Sequence, residues 1–338
     1  MSRKTVFVTF PVVLLVALYF LGPTPAQQTW SLSPKVVPQT ADELEQYVST
    51  IESAHQIKPD NEARIVWNDS TRTKTEYSVI YLHGFSASQE EGDPVHTDFA
   101  KAFGCNLYLA RLADHGVDTT EQLLYFTGDR FWESAKEALA IGKALGNKVI
   151  VMSTSTGGTV ALMLAAYFPD DVHALINMSP NIAINNPTAW MLNNPWGLHI
   201  ARMVLGGDYQ VIPYEEARQQ YWNGKYRVEA LPQLQELVEA QMNQTLFKKV
   251  TCPSLTMYYY KSETEQDPTV KVSAILEMHA QLGTPENLKM AVPVPEAGGH
   301  VIGSHLVSKD ISTVIQTAIQ FAVDKLGMKP VSASSEIQ

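Results

Sequence analysis

"VIVMSTSTGGTV", residues 149–160, is an apolar run interrupted by Ser153-Thr154-Ser155-Thr156 and closed by two glycines. A short, nearly continuous apolar run that ends in glycine reads as a strand covered on both faces, as in a parallel sheet. The residues that follow, "TGGTVALMLAAYF", read as a helix, so the whole is strand, turn, helix. Parallel sheets gather reactive groups at the carboxyl ends of their strands. A sharp strand-to-helix turn lifts its central residue out of the sheet and crowds the positions two before and two after it. Centred on Ser155, those positions are Ser153 and Gly157, both small; centred on Ser153, Val151 would clash. Ser155 is therefore the candidate nucleophile. The positive N-terminal end of the helix favours the negative charge that develops in acyl transfer. Without chemistry, the same residues are a polar strand end and a Gly-rich helix start.

The pattern repeats outward from this stretch. "ARIVWND" alternates like a strand, and "YSVIYLHGF", "CNLYLARLADHG", "VHALINMSP", "CPSLTMYYYK" and "NLKMAVPVPEAGGH" share the form of the opening run. Helix-like segments lie at 129–145, 157–168, 269–282 and 304–326, and "ADELEQYVSTIESAH" carries a helical stripe with Thr40 or Asp42 as N-cap. Strands alternating with helices imply an α/β architecture, a mostly parallel, doubly wound sheet with right-handed crossovers. Residues 183–250 are far too many for one crossover and read as an inserted, largely helical cap. The core is then 41–182 and 251–327, with a linker at 28–40 and a flexible tail at 328–338.

A serine needs a general base, and the base needs an orienting carboxylate. His300 follows a strand and two glycines, where an imidazole can lean over the sheet edge; His305, five residues on, reads as a helix residue that caps or packs. For the acid, Asp267 precedes Pro268 at a strand-to-helix loop, a good helix-starting arrangement, with Glu263 and Glu265 as alternatives. The turn offers the Thr156 N–H as one oxyanion donor, and "YLHGF" offers the Phe85 N–H as another, with Gly84 allowing a tight backbone.

Composition excludes several classes. A chain of 338 residues, 45% hydrophobic, can bury a large core. A net charge of -10 with no Lys/Arg cluster beyond pairs such as Lys248-Lys249 argues against a nucleic-acid partner. Cys105 and Cys252 have no C-x-x-C spacing and are too few for a disulfide scaffold or a zinc site. No metal or other cofactor is expected. The uncharged run "TVFVTFPVVLLVALYFL", residues 5–21, follows Arg3-Lys4 and rises about 25 Å as a helix. Residues 1–27 thus read equally as a secretory signal or a short membrane anchor. Either way, the domain after Gln27 is exported or membrane-anchored on the non-cytoplasmic side.

"YLHGF", "ARLADHG", "STSTGG", "DPTV" and "GGH", in that order and spacing, resemble the α/β-hydrolase superfamily, in particular its monoacylglycerol lipase, carboxylesterase and serine aminopeptidase-like branch. The resemblance spans residues 62–327. It implies Ser155 as nucleophile, Asp267 as acid, His300 as base, and the N–H groups of Phe85 and Thr156 as oxyanion donors. Ser153 stands where such proteins usually have Gly, and Asp114 in "ADHG" where Gly is common. The implied strand order sets Cys105 and Cys252 several strands apart, so both are expected as free thiols. In the cap, Trp190, Met191, Leu192, Trp196, Leu198, Met203 and Leu205 supply more apolar surface than a small exposed insertion needs, so some should face a cleft. The expected activity is hydrolysis of small-molecule carboxylic esters or monoacylglycerol-like lipids through an acyl-enzyme. Aminopeptidase or amide chemistry on the same scaffold, and a non-catalytic membrane-tethered binding protein, are the alternatives. An epoxide hydrolase or dehalogenase would need Asp at the turn.

Overall fold

All seven strand candidates enter one sheet. In chain order the strands are β1 (Arg64–Val66), β2 (Thr75–Leu82), β3 (Asn106–Leu109), β4 (Gly146–Thr154), β5 (Val172–Met178), β6 (Tyr209–Val211), β7 (Lys225–Arg227), β8 (Ser254–Tyr258), β9 (Tyr260–Ser262), β10 (Glu265–Gln266) and β11 (Lys289–Pro293). The computed structural model describes residues 17–331. The large sheet runs β1-β3-β2-β4-β5-β8-β11; β1 is antiparallel to β3 and every other pairing is parallel.

The apolar runs follow from burial on both faces, because successive side chains of a strand point to opposite sides. Ile80, Leu82, Val149 and Val151 meet the layer that holds helices Gly128–Leu145 and Thr156–Tyr167. Val79, Tyr81, Ile150 and Met152 meet the opposite layer, helices Val95–Phe103 and Ile311–Leu326. Thr156–Ala166 is buried throughout, so this helix is apolar on every side and its polar N-terminal end is left for the sheet edge. Fully covered side chains such as Phe131 and Trp132 each contribute roughly 2–3 kcal/mol of hydrophobic stabilisation.

Strand order also settles the thiols. Cys105 leads into β3 and Cys252 into β8, four strand positions apart, about 19 Å at ~4.8 Å per strand. Both are free.

Several local readings differ from the sequence expectation. The last helix begins at Ile311, not near 304, because the Asp310 side chain accepts the Thr313 N–H as an N-cap; residues 301–310 form a loop in which Ser304 bridges to Pro94. His305 is consequently in a loop, not in a helix. Thr40 precedes helix Ala41–Ser53, but its hydroxyl donates to the Glu43 side chain instead of capping backbone. The insertion between β5 and β8 carries helices Gly197–Leu205, Glu216–Tyr221 and Ala230–Gln241, and also the antiparallel pair β6–β7, whose partners are too far apart in sequence for local periodicity to reveal.

Residues 23–39 have no regular structure, yet they are tied to the core: the Thr29 N–H donates to Asp129, the Trp132 indole to the Ser31 carbonyl and the Lys136 ammonium to the Ser33 carbonyl. At the other end Met328 is buried and the Val331 N–H donates to the Ala102 carbonyl. Most of the apolar N-terminal run lies outside the described residues. Among the described residues no helix is long and apolar enough to cross a membrane.

Candidate active site

Ser155 leaves β4 with φ 52° and ψ -120°, a backbone conformation that a side-chain-bearing residue rarely adopts. The bend is held from both sides. The Ser155 N–H donates to the Met178 carbonyl at 3.1 Å, and the Ser155 carbonyl accepts the N–H groups of Gly158 and Asn181 at 2.9 and 2.8 Å. A Cβ added at Gly157 would stand 2.0 Å from the Leu82 carbonyl oxygen, so the position two after the bend admits no side chain. Ser153, two before it, is fully buried and donates its hydroxyl to Asn177 Oδ1 at 2.8 Å. Of the two serines, Ser155 lines the cleft.

β2 lies beside β4 with Leu82 opposite Ser153, so the loop after β2 runs past the bend. Gly84 is required there: a Cβ on it would come 2.8 Å from the Ser155 Cβ. His83 accepts the Leu112 N–H at Nε2 (3.0 Å), so its proton is on Nδ1, which donates to the Gly84 carbonyl at 2.9 Å. Burial, then the neighbouring His115, holds His83 far below the ordinary imidazole pKa and keeps it neutral in this role. Carbonyl and N–H of one trans peptide point in opposite directions. Pinning the Gly84 carbonyl therefore turns the Phe85 N–H the other way, where it has no acceptor among the described residues. The Thr156 N–H, first in its helix, is likewise without an acceptor there, and both residues line the cleft.

Asp267 follows β10, which pairs with β9 in a small separate sheet, and His300 lies in the loop after β11, the last strand of the large sheet. Asp267 Oδ2 accepts from His300 Nδ1 at 2.7 Å, while Oδ1 accepts the N–H groups of Thr269 and Val270 at 2.8 and 3.0 Å. Pro268 does not start a helix as expected; that helix begins at Val272, and the Asp267 carboxylate closes a turn onto Thr269 and Val270 instead. Glu263 and Glu265 are exposed and take the hydroxyls of Tyr260 and Tyr259. His305 is half exposed and faces Glu90 and Asp93. His300 Nε2 is buried and has no hydrogen-bond partner among the described residues. Burial works to lower the His300 pKa, but the Asp267 carboxylate, with Glu91 behind it, outweighs burial and holds it above the ordinary value. Ser155 and His300 make no hydrogen bond to each other, yet both face one cavity of about 870 Å³. Such catalytic contacts often tighten only once substrate is bound.

The cap forms the far wall. Met191, Leu192 and Leu205 reach the cavity as the sequence suggested, joined by Ile200, Val204 and Ile212, whereas Trp190 and Met203 face outward. Leu198 is half-buried and Trp196 stands at the surface, where its indole donates to the Leu18 carbonyl.

Glu91 is the feature the sequence did not disclose. In "SQEEGDP" it reads as a solvated loop charge, but it is buried, accepts the Gly84 N–H and lines the cavity. Burial pushes its pKa up to about 7, against the pull of the Gly84 N–H, His300, Arg218 and the Trp222 indole. The unfolded chain ionises this carboxyl from an ordinary value near 4.5 and the folded chain only near 7. Stability is therefore lost as pH rises between those values and is not lost below them. Glu91→Gln removes the titration while keeping an acceptor for Gly84. The mutant's stability relative to wild type is expected to improve by roughly 2 kcal/mol between pH 5 and pH 8. A difference independent of pH in melts at the two values would refute it.

Among solved structures the chain is similar to one of the metagenome-derived lipolytic enzymes LipS and LipT, at 18% identity and a TM-score of 0.60, over 79% of this chain and 98% of that one. It is similar to the monoacylglycerol lipase of Paleococcus ferrophilus at 11% identity and a TM-score of 0.57, over 78% and 98% of the two chains. It is similar to Est1E from Butyrivibrio proteoclasticus at 17% identity and a TM-score of 0.53, over 80% and 98%. No protein-family model and no curated protein matches the sequence.

Proposed function

We propose, for a chain with the α/β-hydrolase fold, that it is a serine hydrolase that cleaves carboxylic esters with an apolar acyl or alcohol group through an acyl-enzyme. The observation that carries this reading is the His300–Asp267 hydrogen bond at 2.7 Å, with His300 Nε2 left unpartnered in the cavity that Ser155 enters from its strained bend. Asp267 keeps the imidazole proton on Nδ1, so Nε2 is the basic nitrogen. His300 takes the proton from Ser155 as the hydroxyl oxygen attacks the ester carbonyl. The N–H groups of Phe85 and Thr156 receive the developing oxyanion. His300 then protonates the departing alcohol and activates the water that releases the acid.

The apolar cap wall and the lipolytic and esterase structures of like fold support ester or lipid substrates over amides. The reading includes a domain held at, or exported across, a membrane by residues 1–27. Its support is the apolar run at 5–21, the outward-facing Phe20 and Leu21 beside the Leu18 and Pro23 carbonyls that Trp196 of the cap binds, and the outward-facing cap residues Trp190 and Met203. The test is full-length protein in cell fractions, assayed on p-nitrophenyl esters of increasing chain length and on aminoacyl arylamides. Ester turnover in the membrane or exported fraction is expected. Arylamide turnover exceeding ester turnover would reverse the substrate assignment, and activity confined to the cytosol would remove the membrane part.

A further inference from the structure

Arg218, on the short cap helix Glu216–Tyr221, lines the same cavity as Ser155 and His300. Its guanidinium carbon lies 4.1 Å from the Tyr214 ring centre and 5.0 Å from that of Trp222, so two aromatic faces hold it in place. The other six arginines among the described residues, Arg64, Arg72, Arg111, Arg130, Arg202 and Arg227, each hold a carboxylate within 2.8 Å. Arg218 holds none, and its Nε is buried without a hydrogen-bond partner among the described residues. In a chain of net charge -10, carboxylates are not scarce, yet of the seven described arginines only this one, whose side chain lines the cavity, pairs with none. Glu91 is close enough to feel the guanidinium's charge, but the two form no ion pair, and Glu91 is occupied by the Gly84 N–H.

A buried donor without an acceptor is costly, and more so when charged. The planar guanidinium fork matches the two oxygens of a carboxylate or phosphate, and the aromatic clamp reduces the side-chain freedom lost on pairing. The apolar walls around it would strengthen such a pair once water is displaced. We infer that Arg218 is an anion-binding residue of the substrate cavity, so that the preferred esters carry a carboxylate or phosphate group on the part lying under the cap. This rests on the ester-hydrolase reading and adds the substrate's charge to it.

The test compares kcat/KM for two matched pairs on the full chain. One pair is p-nitrophenyl butyrate against mono-p-nitrophenyl glutarate, which puts a carboxylate on the acyl side. The other is a monoacylglycerol against the same monoacylglycerol 3-phosphate, which puts a phosphate on the alcohol side. Wild type is expected to favour the anionic member of at least one pair, and the favoured pair identifies the source of the charge. Arg218→Gln should reduce that preference at least about tenfold, chiefly through KM. Arg218→Lys, which keeps the charge but not the fork, should retain part of it and shows that loss of folding is not the cause. Neutral esters turned over with no anionic preference in wild type, or a preference unchanged in Arg218→Gln, would overturn the inference while leaving ester hydrolysis standing. No turnover of any of the four esters would overturn both.

Discussion

Ser155→Ala is expected to abolish covalent labelling by a fluorophosphonate probe and to lower ester turnover by about 10⁶-fold, the scale seen when a serine hydrolase loses its nucleophile. The substitution isolates chemistry from folding. Alanine keeps the Cβ, and the bend is held by backbone groups, the Ser155 N–H on Met178 and the Ser155 carbonyl on Gly158 and Asn181. What is lost is the one hydroxyl that this bend projects into the cavity. Ser153→Ala supplies the control. That hydroxyl is fully buried on Asn177, so labelling should survive its removal. Labelling that persists in Ser155→Ala would end the assignment.

Asp267→Asn is expected to reduce kcat by about 10⁴-fold with the fold intact. An asparagine oxygen can still accept from Thr269 and Val270, so the turn is kept. Its amide nitrogen, placed where the carboxylate oxygen faces His300 Nδ1 at 2.7 Å, donates instead of accepting and forces the imidazole proton onto Nε2. The nitrogen that must take the serine proton is then blocked. The pH profile provides a second readout. His300 acts as a base only when neutral, and Asp267 is the main influence that raises its pKa against burial. The acid limb of kcat/KM should therefore lie above 6.5 in wild type, with activity rising with pH, and should move to lower pH in Asp267→Asn. Equal rates, or an acid limb that does not move, would remove Asp267 from the mechanism.

The sheet was legible because each inner strand is buried on both faces and so reads as an apolar run, and all seven candidates entered it. The small residues around Ser155 were legible from the demands of the turn, and the neighbouring strand enforces one of them: a Cβ added at Gly157 would stand 2.0 Å from the Leu82 carbonyl oxygen. The onset of the last helix was not, because the mixed apolar and polar stretch before Asp310 suits a helix and a loop alike until Ser304 finds Pro94. The β6–β7 pair and the burial of Glu91 were not legible either. Each depends on a partner distant in sequence or on neighbours from other elements.

By itself, the order of apolar runs and glycines determined an alternating sheet with a strained serine at a strand end, because hydrophobic periodicity and backbone sterics act over a few residues. Only the tertiary structure decided what surrounds that serine: His300 seated on Asp267 across 33 positions of chain, the Gly84 carbonyl pinned by His83, Glu91 buried with a raised pKa, and Arg218 left without a carboxylate. Hydrogen-bond partners, desolvation and the pairing of charges are properties of neighbours in space, and the cap and the strand order choose those neighbours.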